Sequence, residues 1–213
     1  DTGIVGSNPV LSPSQAQSYE QCPRRYVLER RLRVGSDTSL HAVFGTLIHD
    51  ILETVEKRAL AEGRRRSSLG GALAEFERRF DAGDFDGPPF SESWRARAIT
   101  GLTKLYENWP APKRTAAFLE LQLDTEIGGT TWTGRADRID VSAAGVTVVD
   151  YKSSRSPITG AEAEESLQLG FYALAAQRDD RVTRHGDVVG AELWYPMAGG
   201  KKVPTRKFRI EGL

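Results

Sequence analysis

Three residues in the segment Thr133–Ser154, TGRADRIDVSAAGVTVVDYKSS, have the types and spacing to gather charge around a metal ion: Asp137, Asp150 and Lys152. Two β-type runs flank Ser142–Gly145, a small, glycine-containing turn of the kind that joins hairpin strands. Side chains alternate along a strand, so Asp150 and Lys152 share a face, about 7 Å apart at Cα. By the same rule Arg135, Asp137 and Ile139 share one face of the preceding strand. If the two strands pair around the turn, Asp137 approaches Asp150, and two carboxylates meet an ammonium at one spot. Carboxylates crowded into an apolar sheet repel each other and are costly to desolvate, and a divalent cation removes both difficulties. Glu120, on the strand before, either joins this cluster or occupies a solvated edge position.

Two other pairs have the spacing to serve that spot. Gly45 and His49 lie one turn apart on the strongest helical pattern in the chain, and Gln168 and Tyr172 lie one turn apart on a later one. A glycine inside a helix costs about 1 kcal/mol relative to alanine. Gly45 therefore reads as a place where another segment comes close, with His49 reaching toward the cluster. The bland alternative is a packing glycine beside an unrelated histidine.

Taken together, GTLIH at 45–49, GRAD at 134–137, DYK at 150–152 and QLGFY at 168–172 resemble the ordered motifs G-x-x-x-H, G-x-x-D, D-x-K and Q-x-x-x-Y of the PD-(D/E)xK nuclease superfamily, in the form of its RecB-type branch. The opening LSPSQAQSYEQCPRRY is similar too, so the likeness spans nearly the whole chain. It resembles the nuclease domain of RecB, AddAB or AdnAB-like helicase–nucleases. The resemblance implies an α/β, restriction-endonuclease-like core: a mixed central sheet flanked by helices, with a large helical N-terminal half. It implies Mg²⁺ or Mn²⁺ held by Asp137, Asp150, His49 and the main-chain carbonyl of Tyr151. Lys152 would act on the attacking water as a base or as an electrostatic clamp, and Gln168 and Tyr172 would brace Lys152 or contact a phosphate. Oxygen ligands suit Mg²⁺, and an imidazole nitrogen favours Mn²⁺. The implied activity is exonuclease-type hydrolysis of DNA, acting on single-stranded ends in break repair and recombination beside a helicase motor. Two other implied readings are a catalytically retired module for DNA guiding or subunit docking, and a stand-alone nuclease of the CRISPR adaptation type. Some relatives carry a four-cysteine iron–sulfur cluster. Cys22 is the only cysteine here, so no such cluster is expected, and Cys22 reads as a small packed residue.

Composition narrows the setting. The 213 residues are 39% hydrophobic and 27% charged, with 29 basic and 29 acidic side chains, the balance of a soluble globular protein with length for a packed core. No apolar run approaches the roughly 18 residues of a membrane helix, no signal peptide is visible, and a single cysteine suits a reducing cytoplasm. No Walker A motif occurs, so a motor would lie outside these residues. The chain begins at Asp1 and its one methionine is Met197, so a piece of a longer helicase–nuclease is expected. With zero net charge, only a local patch can grip phosphates. Arg24, Arg25 and Arg31 form the candidate DNA-binding patch, while Arg64, Arg65 and Arg66 read as a solvated helix face.

Positioning these residues falls to a single nuclease domain read as a tail (1–11), a mainly helical part (12–110) carrying His49, and an α/β core (115–213) carrying the other motifs. Ser12-Pro13-Ser14-Gln15 is a capping box, opening a helix to about Gln21, with a helical pattern resuming after Pro23 to about Leu32 and Tyr19, Tyr26 and Leu28 on its buried side. Period 3.6 runs from Thr38 to Ala61, and helical patterns return at 72–80 and 92–108. The period then shortens to 2. Strands are expected at 118–127, 130–141 and 146–152, the last rich in Val as a central strand should be. One helix over 161–177, with Leu167, Phe171 and Leu174 toward the sheet, and strands at 188–195 and 203–210 finish the chain.

Overall fold

The computed structural model describes residues 10–28, 32, 39–81 and 91–210. Its centre is a mixed sheet of β1 (Val10–Leu11), β2 (Thr115–Ile127), β3 (Thr130–Ser142), β4 (Gly145–Tyr151), β5 (Val188–Trp194) and β6 (Thr205–Arg209). β3 pairs with β1, β2 and β4, and the order continues through β5 to β6. β2–β3, β3–β4 and β5–β6 are antiparallel, whereas β4–β5 and β1–β3 are parallel. β4 lies between two strands and is buried from Val146 onward, which accounts for its run of valines.

Helices cover both faces. α3 (Leu40–Ala61), α4 (Leu69–Asp81) and α5 (Ser91–Glu107) pack Phe44, Ile48, Leu52, Phe76 and Leu102 against Val149, Tyr151 and Trp194. α7 (Leu167–Gln177) brings Phe171 and Ala175 to the cluster that holds Val146, Val148 and Leu193. Alternation along β4 and β5 assigns these clusters to opposite faces. α1 (Pro13–Gln21) opens with the capping box expected at Ser12 and Gln15 and leads into α2 (Pro23–Tyr26). The 3.6-period segment is helical from Leu40, its N-cap Ser39 accepting from Ala42 N–H; Thr38 lies outside the described residues.

Several expectations need correction. Val10 and Leu11 are no tail: their backbone groups pair with Thr131 and Trp132 of β3. The helix expected over 161–177 is two, α6 (Gly160–Glu164) and α7, because Ser166 caps α7 by accepting from Leu169 N–H. That break turns Leu167 out to solvent, 43% exposed, while Phe171 stays buried. A short α8 (Asp180–Thr183) was not anticipated. Tyr26 is buried, but Tyr19 and Leu28 are exposed. Cys22 is exposed, with its sulfur accepting from Arg25 N–H at the start of α2, so it serves as a cap and not as packing. Arg64–Arg66 lie in the loop expected after Gly63, where Arg65 donates to the Thr115 hydroxyl and Arg66 covers the Trp109 ring, so these two anchor the loop and are no solvated helix face.

Candidate active site

The β3–β4 ladder runs from the turn as far as Arg138 opposite Val149. One step further the strands part, and Asp137 and Asp150 stand at the opening. Asp137 Oδ2 accepts from Tyr151 N–H at 2.6 Å, so the carboxylate occupies the gap where the ladder would have continued. Its Oδ1 lies 3.2 Å from His49 Nδ1 on α3. Gly45, one turn earlier, lets α3 come down on the end of β4: a Cβ there would sit 3.0 Å from Ser153 Oγ. The helical glycine thus has the close-approach role its cost implied.

Asp150 is buried and served by α7. Gln168 Nε2 donates to Asp150 Oδ1 at 2.9 Å, and its Oε1 accepts from Lys152 Nζ at 2.8 Å. Lys152 Nζ is also 2.7 Å from Asp150 Oδ2, an ion pair whose angle leaves that buried oxygen without a directed hydrogen bond. Gln168 therefore fixes Asp150 and Lys152 together. Tyr172 has a further partner: besides its hydrogen bond to Gln168, which holds Lys152, its hydroxyl donates to the Arg135 carbonyl at 2.8 Å, pinning β3 just before Asp137. Gly134 makes that contact possible, because a Cβ there would come 2.6 Å from the Phe171 ring.

Glu120 resolves toward the cluster. The β2–β3 register passes from Leu119 opposite Arg138 to Leu121 opposite Ala136, which sets Glu120 across from Asp137. Its φ of 54° is the one positive value at a non-glycine among the described residues. Such backbone strain costs about 1–3 kcal/mol and persists where the surroundings impose it. The effect is to bring ligand atoms of His49, Glu120 and Asp137 within 4.8 Å of one another. Asp150 stands outside that triplet, held in its clamp with Lys152 and Gln168.

Protonation follows from this crowding. Burial pushes the Glu120 carboxyl up to about 7, with Asp137 and Glu53 adding to the shift. Asp150 rises to about 6, through burial foremost; Lys152 opposes the shift and Asp137 adds to it. Burial opposes charge on His49, but its hydrogen bond to Asp137 and the pull of both aspartates win, raising it to about 9. Burial likewise opposes charge on Lys152, and the Asp150 carboxylate raises it above the usual lysine value. Three carboxylates and one imidazole converge here, with Lys152 beside Asp150 and the exposed Arg135 4.0 Å from Glu120. That donor set, oxygens with one imidazole nitrogen, fits a hard divalent cation.

Of the proposed DNA-binding arginines, Arg24 and Arg25 are exposed on α2, and Arg31 lies outside the described residues. Arg97 on α5 went unrecognised in the sequence. It donates to the Ser153 carbonyl, next to Lys152, and stands over the rings of Phe44 and Trp94. The only available signal was Trp94 and Arg97 at helical i, i+3 spacing, with Trp94 read as packing.

The sequence profile of the PD-(D/E)XK nuclease superfamily matches residues 10–210. A crystal structure from Eubacterium rectale, of a protein named as a candidate exonuclease, covers 94% of this chain and 72% of its own at 12% identity, with a TM-score of 0.54. The structure of SSO0001 covers 97% of this chain and 70% of its own at 14% identity, with a TM-score of 0.36. No curated protein sequence matches at a significant level.

Proposed function

The chain belongs to the PD-(D/E)XK nuclease superfamily, and from that premise we propose that it is a Mg²⁺- or Mn²⁺-dependent deoxyribonuclease of the RecB-type branch, a single nuclease domain that trims DNA ends beside a helicase motor in cytoplasmic break repair and recombination. The observation carrying the proposal is the convergence of His49, Glu120 and Asp137 where β3 and β4 part, beside the Asp150–Lys152 pair. Asp137, His49, Glu120 and Asp150, with the Tyr151 carbonyl, are the residues to hold the ion. When bound, a divalent cation supplies Lewis acidity toward the phosphate and lowers the pKa of a water. Lys152 donates from its ammonium, orienting the attacking water and offsetting negative charge that grows on the phosphate oxygens. Gln168 holds Lys152 and Asp150 in one geometry, and Tyr172 keeps β3 from drifting. What favours the RecB branch is the ordered set of four motifs. What favours a motor-fed domain is the balanced charge, since 29 bases against 29 acids leave only local patches to grip DNA.

The test is cleavage of end-labelled single- and double-stranded DNA with Mg²⁺, Mn²⁺ or excess EDTA. Shortening from an end in either metal, absent in EDTA, is expected. Undiminished cleavage in EDTA, or none with either ion, contradicts the proposal. Binding of single strands should be weak at physiological salt and indifferent to sequence.

A further inference from the structure

Beside the hydrolytic cluster is a cavity of about 400 Å³ lined by His41, Phe44, Trp94, Arg97, Ser153 and Arg155, among others. Ser153 directly follows Lys152, so the cavity opens where the catalytic strand ends. Its chemistry is of two kinds. Trp94 forms one wall, half-buried, with His41 edge-on (4.9 Å between ring centres) and Phe44 tilted against it (4.9 Å). The Arg97 guanidinium stands over its ring at 5.3 Å, so a base would meet the ring beside that guanidinium. Arg97 and Arg155 supply positive charge. Neither has an ion-pair partner among the described residues, unlike Arg79, Arg114 and Arg138. Arg97 Nε is buried and without a hydrogen bond. Burial first, and then repulsion from Arg155, lower the pKa of Arg97. Two guanidinium groups that repel each other beside a cavity are a site short of an anion. Backbone hydrogen bonding to Ser153 fixes one of them toward the strand that carries Lys152.

We propose that this cavity is a nucleotide subsite for single-stranded DNA, holding one nucleotide of the strand next to the phosphate being cut, with a phosphate on Arg97 and Arg155 and a base stacked on Trp94. The proposal rests on the nuclease reading for its substrate and on the cavity itself for its chemistry. Arg favours phosphate through its planar fork of donors, and an aromatic face accepts any base, so the subsite grips without reading sequence. It requires an unpaired base. A duplex end would have to fray before it could enter.

Two readouts test it, one free of catalysis. In EDTA, and in a Trp132→Phe background because Trp132 is half-buried like Trp94, a ten-residue oligothymidylate should quench tryptophan fluorescence: Trp109 and Trp194 are buried, which leaves Trp94 as the tryptophan within reach of a base. Trp94→Phe should lose most of the quench, and Trp94→Ala should weaken binding about tenfold, the scale of one base-stacking contact. Arg155→Ala, at an exposed position outside the hydrolytic cluster, should flatten the salt dependence by about 0.7 in log–log slope, one phosphate contact. In cleavage with Mn²⁺, Arg155→Ala should raise KM about tenfold with kcat kept within twofold. Wild-type affinity, salt slope and KM in these variants would overturn the subsite. So would equal quenching by a blunt duplex, which has no free base, or by thymidine monophosphate at the same concentration, which would mark a product site. A protein that never cleaves but shows the quench would sink the nuclease reading alone, while one that cleaves without it would sink the subsite alone.

Discussion

Asp137 and Arg138 are neighbours on β3, and each meets α3, yet they belong to clusters with opposite properties. Arg138 Nη1 donates to Glu56 at 2.9 Å and its Nε to Asp140 at 2.5 Å, while Ser67 and Tyr106 also hydrogen-bond Glu56 and Trp109 covers the guanidinium. All three charged residues are sealed: Arg138 and Glu56 are 1% exposed and Asp140 0%. His49, seven residues before Glu56 and so about 10 Å along the helix, meets Asp137 with its side chain 30% exposed. Lys152 is 31% exposed. Burial of charge does not separate the two clusters, nor does an oxygen lacking a donor, since Asp140 Oδ2 is also without one. Access does. The Arg138 cluster is closed to any ligand and tied to the core, whereas the Asp137 cluster is open to solvent at His49 and Lys152. The first is built to hold β3 against α3, and the second to take something from outside.

The largest expected effects should divide along this line. Asp137→Ala, Asp150→Ala and Lys152→Ala should each lower cleavage by at least about a thousandfold while thermal unfolding stays close to wild type. The double aspartate variant should be hardly worse than either single one, because the residues work as a unit. Loss of activity that only follows loss of folded protein would erase the distinction. Arg138→Met should do the reverse. Stranding Glu56 and Asp140 without their cation costs about 3–5 kcal/mol, so Tm should fall steeply, with activity per folded molecule retained.

Smaller effects sharpen the same contrast. His49→Ala should reduce the rate by about ten- to a hundredfold, since a water can replace one ligand, and Mn²⁺ should restore more activity than Mg²⁺. Glu120 supplies a pH test in EDTA. Its folded carboxyl, near 7, lies above the unfolded value of about 4.3. The native state therefore holds the proton longer, and rising pH through that window removes stability that is fully present below it. Glu120→Gln should flatten the stability–pH curve between about 4 and 7 and be the more stable protein at neutrality. An identical curve for wild type and variant would remove Glu120 from the charged cluster.

The sequence revealed these clusters unequally, for physical reasons. The hairpin at 130–151 was legible because its turn residues and its period of two agree, and alternation alone put Asp150 with Lys152. The 3.6 period of α3 placed Gly45 and His49 together without any tertiary information. Glu120 was ambiguous, because only the register of β2 on β3 and a positive φ turn it toward Asp137. The second partner of Tyr172 was hidden: helical spacing puts it beside Gln168 on α7, but the Arg135 carbonyl it reaches belongs to a strand. The break at Ser166 was hidden because Ser is unremarkable inside a helix until its hydroxyl is seen capping Leu169 N–H. Arg138, Glu56 and Asp140 were invisible as a unit, since sequence separations of up to 82 residues carry no local signal.

Whether the open cluster is a metal centre is most directly measured by anomalous diffraction from crystals soaked in Mn²⁺. It should show an ion touching the side chains of both Asp137 and Asp150, with His49 or Glu120 also coordinating, and no ion near Asp140 and Glu56. An ion bound elsewhere, or a cluster that stays without one at saturating Mn²⁺ while the protein cleaves DNA, would contradict that assignment.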